Sequence, residues 1–119
     1  MRPGDRLGAS KGAVGYVYRA QAYLAAARPN DALDDLDKAQ KRDPSIKYAL
    51  LIRAKALLEI GNLELAWDDL TEYMAAEPND IDAYATRAEI LEKKGRIRAA
   101  ARDFAKALEI TFKTLHIYE

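Results

Sequence analysis

The chain has 119 residues, 50% of them apolar and 32% charged, and its 19 basic and 19 acidic side chains cancel. That length suits one domain, with too many apolar residues for a disordered segment. The lack of cysteine excludes disulfides and thiol chemistry, no run approaches the roughly 18 apolar residues of a membrane span, and zero net charge advertises neither nucleic acid nor a lipid surface.

In chain order, residues 1–12 set Pro3, Gly4, Gly8 and Gly12 among Arg2, Arg6 and Lys11. They read as a flexible N-terminal tail with no leader sequence. From residue 13 onward apolar residues recur at spacings of three and four. This predicts helices over 12–27, 30–42, 46–60, 63–76, 80–94 and 97–117. Gly61 and Gly95 stand where a helix end needs positive φ, and Pro29 cannot continue the helix before it. Pro44-Ser45 and Pro78-Asn79-Asp80 separate later pairs of helices.

These breaks keep a fixed register. Gly61 and Gly95 lie 34 residues apart, as do Pro44 and Pro78. The same interval relates Ala20, Ala54 and Ala88, then Ala32, Ala66 and Ala100, then Leu36, Leu70 and Phe104. Such a period marks stacked supersecondary units. The repeats are 13–46, 47–80 and 81–114, within a domain of 13–119. Each comprises two helices.

The pattern resembles the tetratricopeptide repeat. Position 4 is Tyr16, Leu50, Tyr84, and position 8 is Ala20, Ala54, Ala88. Position 11 is Tyr23, Leu57, Leu91, position 20 is Ala32, Ala66, Ala100, and position 24 is Leu36, Leu70, Phe104. The match covers 102 of the 119 residues. It departs at Tyr73, where a small residue is expected, and at Phe112, where the closing Pro is missing. The resemblance implies an all-α, right-handed α-solenoid of three helical hairpins. It also implies a concave groove, lined by the first helices, that takes an extended peptide or a partner helix.

One feature departs from the family pattern in all three copies. Position 7, usually Leu, is Arg19, Arg53 and Arg87, and position 23 is Asp35, Asp69 and Asp103. Each Asp follows its Arg by 16 residues, from first helix to second. The expectation is a partly buried ion pair inside each hairpin, since the planar guanidinium can grip a carboxylate with two bonds. Its role is architectural.

The family's groove positions carry Val14, Val17, Tyr18 and Gln21, then Tyr48, Leu51, Ile52 and Lys55, then Asp82, Thr86 and Glu89. Of these, Val17, Tyr18, Tyr48, Leu51 and Ile52 are expected to form an exposed apolar strip. One tetratricopeptide subfamily grips a C-terminal carboxylate through Lys, Asn and Arg at set groove positions. Here those positions hold Val17, Gln21, Ile52, Asp82 and Thr86, so that clamp is absent.

Catalysis has little support. His116 is the only histidine, Ser10 and Ser45 are the only serines, and no phosphate loop, zinc spacing or calcium loop appears. No cofactor or metal is expected. The expected function is protein binding in the groove, in a cytoplasmic setting. The alternative is a self-associating module, or a piece of a longer scaffold, using Phe112, Leu115 and Tyr118 at an uncovered end. Arg98, Arg102 and Lys106 share one helix face, but they lack the interleaved aromatics of a single-strand reader, so nucleic acid is disfavoured. The zero net charge conceals +2 on residues 1–12, 0, −4 and +3 on the three repeats, and −1 on the last five residues.

Overall fold

Six helices follow one another in the computed structural model: α1 (Pro3–Ala25), α2 (Pro29–Arg42), α3 (Tyr48–Ile60), α4 (Leu63–Ala76), α5 (Ile81–Lys93) and α6 (Ile97–His116). The structure describes residues 3–116, with side chains from Gly12 onward. No strand occurs among the described residues.

Three helices end in the same way because their sequences do. Residues Ala27, Gly61 and Gly95 take positive φ, at 60°, 89° and 78°. The next N–H then reaches back to a carbonyl in the last turn: Arg28 to Tyr23 at 2.8 Å, Asn62 to Leu57 at 2.9 Å and Arg96 to Leu91 at 2.8 Å. This left-handed cap satisfies carbonyls that the helix itself cannot pair. Glycine enters the conformation freely, and Ala27 enters it at a cost. The following helix starts one or two residues later, so each hairpin is tight.

Within each hairpin the helices meet at small residues. Ala20 and Ala32, Ala54 and Ala66, and Ala88 have no exposed surface, and Ala100 is almost as deep. Small side chains here let the backbones approach, and Leu36, Leu70 and Leu57 fill the space beside the contact.

Between hairpins, α3 packs against α1, α2 and α5, whereas the backbones of α2 and α4 stay apart among the described residues. The first helices thus form the tighter inner wall of the stack. Val17 and Ile52 close the seam between α1 and α3, and Leu51 joins Ala83 and Ile90 in the next cluster.

Two departures from the repeat pattern are accommodated differently. Tyr73 is buried, and its hydroxyl donates to Asp80 Oδ2. Asp80 caps α5 by accepting from the Ala83 N–H at 3.1 Å. Phe112 lies on the surface, and α6 runs past it to His116.

The expected start of the first helix is corrected. Helix α1 begins at Pro3 and not near residue 12. Proline suits a first helical position, where its fixed φ is already helical and its missing N–H has no intrahelical partner. At Gly12 a side chain would collide with the Arg42 guanidinium, which crosses α1 there and lies over the Tyr16 ring.

Candidate partner-binding groove

The three Arg–Asp positions meet in all three hairpins. Arg19 donates from Nε and Nη2 to the two oxygens of Asp35, both at 2.7 Å. Arg53 holds Asp69 with the same two bonds at 2.7 Å, and Arg87 holds Asp103 at 2.8 Å. The carboxylates are buried, and the guanidinium groups are partly exposed. Hydrogen bonding to Arg19 holds the Asp35 carboxyl below the usual carboxylate range, against the opposing effect of burial. In repeats one and three the guanidinium also lies over the position-4 ring, Tyr16 or Tyr84. Repeat two has Leu50 there, and Arg53 instead donates to Gln40 Oε1 at 2.6 Å.

On the inner wall the same two repeat positions join twice. Gln21 on α1 donates to the Tyr48 hydroxyl on α3 at 3.0 Å. One repeat on, Lys55 on α3 pairs with Asp82 on α5. Both pairs span 27 residues. Beside the ionic rung lies an open concavity of about 430 Å³ bordered by Leu24, Lys55, Leu58, Glu59, Asp82, Thr86, Glu89 and Lys93. Residues of α1, α3 and α5 therefore converge on one face.

The expected apolar strip is corrected. Val17, Leu51 and Ile52 are only 3%, 1% and 1% exposed, and Thr86 is also buried. Successive first helices touch along those positions, so the side chains belong to the core. The accessible wall is Tyr18 (64% exposed), Val14 and Tyr48 (37% each), with Gln21, Asp82 and Glu89 exposed and Lys55 half-buried. The Thr86 hydroxyl turns back to the Asp82 carbonyl at 2.7 Å and is spent within α5.

Phe112 and Leu115 are exposed on α6, and Tyr118 lies outside the described residues. Lys106 shares its face with Arg98 and Arg102 but is held by Glu109 at 3.6 Å. Sequence reasoning missed the rungs themselves. Their signal was available: Gln21 and Lys55 are one repeat apart, as are Tyr48 and Asp82.

No helix among the described residues is long and apolar enough to cross a membrane, and no acidic or histidine cluster suited to a metal occurs among them.

Helical hairpins stacked in register, with their first helices forming one accessible wall, define an α-solenoid repeat protein. The comparisons carry this further. Over 86 residues the chain is 39% identical to "Tetratricopeptide repeat protein 13" of Homo sapiens, a match covering 68% of this chain and 10% of that protein. The solved Arabidopsis OM64 TPR domain superposes with a TM-score of 0.77 over 86% of this chain and 84% of that one, at 24% identity. The second TPR of Spaghetti (RPAP3), bound to the HSP90 peptide SRMEEVD, also gives 0.77, over 90% and 92%, at 20% identity. The chain belongs to the tetratricopeptide repeat proteins, whose domains mediate protein–protein interaction. No family model matches it. It spans 9% and 22% of the length of the first two curated relatives it matches.

Proposed function

We propose that this domain holds an extended peptide or a helix of another protein against the wall formed by α1, α3 and α5, by shape and apolar contact and without chemistry. The observation that carries the reading is the open concavity bordered by all three first helices, together with the exposure of Tyr18 on α1 and Tyr48 on α3. Tyrosine supplies large contact area at low entropy cost and a polar tip for orientation. The preferred ligand differs from the acidic peptide of the RPAP3 domain. Glu59, Asp82 and Glu89 border the groove against Lys55 and Lys93, and Lys55 is already paired with Asp82. A peptide offering apolar side chains and a basic group fits that polarity.

The test is peptide selection from a displayed library, followed by calorimetry with the selected sequence and with SRMEEVD. The expected result is an apolar or basic consensus, no measurable binding of SRMEEVD, and loss of binding in Tyr18→Ala. Selection of acidic C-terminal sequences would refute the polarity, and a ligand indifferent to Tyr18 and Tyr48 would refute the site.

A second reading, self-association, is favoured by one observation on another surface. Phe112 and Leu115 of α6 are 62% and 64% exposed, far above what a packed core leaves accessible.

A further inference from the structure

The backbones of α4 and α6 stay apart among the described residues, and α5 packs on both. Between them lies an open cleft of about 280 Å³, at the junction of repeats two and three. Trp67 comes to it from α4, Arg87 and Leu91 from α5, and Arg96, Ala99 and Arg102 from the start of α6. It shares no lining residue with the concavity on the inner wall. Asp103 is the one carboxylate of the lining, and both its oxygens already hold Arg87. Arg96 and Arg102 are exposed and form no ion pair among the described residues. Lys94 lies over the Trp67 ring and is held by Glu64 at 3.3 Å. Two uncompensated guanidinium groups therefore stand beside an apolar surface made of Trp67, Leu91 and Ala99.

The repeat register shows that this chemistry is particular to the one junction. One unit earlier, the same positions hold Leu33, Asn62, Leu65 and Asp68 in place of Trp67, Arg96, Ala99 and Arg102. The rest of the plan is unchanged, with Arg53 on Asp69 and Leu57 in place of Leu91. The change from Leu65 to Ala99 takes bulk out of the wall. The changes from Asn62 and Asp68 to Arg96 and Arg102 replace an acidic edge by a basic one. Both hairpins close with the same cap and the same ion pair, so the needs of the fold do not account for these arginines.

We propose that this cleft is a second binding site of the domain, one that takes an acidic segment of a partner protein. Carboxylates of the segment bond Arg96 and Arg102, whose planar forks match them. A neighbouring apolar side chain of the segment rests on Trp67, Leu91 and Ala99. A nucleic acid fits less well, because a strand needs a row of cations along its backbone and open ring faces for its bases. Trp67 is the only aromatic residue of the lining, and Lys94 already lies over its ring. Glu59, Asp82 and Glu89 border the inner-wall concavity, so the two sites favour opposite charge.

Trp67 is the only tryptophan of the chain, so its emission reports occupancy of the cleft directly. The test is a fluorescence titration of the 119-residue chain with the acetylated, amidated peptide ELEELE, up to about 1 mM. Its glutamine counterpart QLQQLQ, inorganic phosphate and oligouridylate are titrated beside it. The expected result is a saturable change with ELEELE alone, weakened by added salt. Arg96→Asn combined with Arg102→Asp, which restores the residues of repeat two, lowers the affinity by about tenfold or more. Helicity by circular dichroism stays unchanged in that variant, because both positions are exposed. Tyr18→Ala leaves the binding of ELEELE intact, which separates this site from the groove. No response to ELEELE, or an affinity indifferent to the double substitution, overturns the proposal. Equal binding of QLQQLQ overturns the part played by charge. Preferential binding of oligouridylate assigns the cleft to nucleic acid, and saturation by phosphate over the same range reduces it to a simple anion site, each against the proposal.

Discussion

The Tyr73 hydroxyl donates to Asp80, and Asp80 uses its other oxygen to cap α5. An oversized side chain in the second helix of repeat two is thus the strut that positions the first helix of repeat three. Burial, reinforced by this bond, pushes the phenol above its ordinary range. A raised folded-state value means the neutral phenol stabilises the native state below the unfolded value near 10, and that contribution is lost as pH rises beyond it. Tyr73→Phe should cost about 1 kcal/mol at neutral pH. In urea titrations the parent should lose stability above pH ~10 more steeply than the variant. Parallel curves would show that ionisation of Tyr73 is not linked to folding, and coincident curves that the strut carries no free energy.

The ladder of ion pairs predicts a graded response. Arg53→Met leaves the buried Asp69 carboxylate without its partner and also frees Gln40, and should cost about 2–3 kcal/mol. Arg19→Met should cost less, because the Arg19 side chain is 54% exposed against 32% for Arg53. Chemical denaturation of both variants gives the order. A larger loss at Arg19 would contradict the burial argument.

The depressed folded-state value of Asp35 has the opposite sign to that of Tyr73. Its contribution is present above the unfolded carboxyl value near 4 and is lost as pH falls through the lower folded one. Asp35→Asn should therefore flatten the decline of stability between about pH 5 and pH 2. An unchanged slope in acid titrations monitored by circular dichroism would assign the decline to other carboxylates.

At the turn of the first hairpin, Ala27 occupies a left-handed conformation that its two counterparts fill with glycine. Ala27→Gly should stabilise the domain by about 1 kcal/mol, since removing the Cβ strain outweighs the added freedom of the unfolded chain. Thermal and urea unfolding measure this directly, and a destabilised variant would refute it.

Tyr18 and Leu51 both occupy family groove positions but should answer mutation in opposite ways. Tyr18→Ala should remove the selected peptide with stability unchanged to within about 0.5 kcal/mol. Leu51→Ala should cost about 2–5 kcal/mol by leaving a cavity. Calorimetry paired with denaturation separates the two.

The period in the sequence made the hairpins legible, since Gly61, Gly95 and the paired alanines punctuate every unit at the same place. The Arg–Asp partners were readable from their constant separation. The groove was legible only in outline. Val17, Leu51 and Ile52 look like lining residues when one unit is considered alone, but neighbouring first helices touch there and bury them. Exposure at those positions depends on how closely successive repeats pack, and no local pattern encodes that distance. Glycines between Pro3 and Gly12 argue against helix individually, yet α1 extends through them from its proline start.

Each buried aspartate finds its arginine inside its own stretch of 34 residues. Duplication or loss of a whole unit would therefore orphan none of these three carboxylates. Lineages and protein engineers alike could lengthen or shorten this array as if moving sealed cassettes, with only the greasy joints between cassettes needing to be refitted.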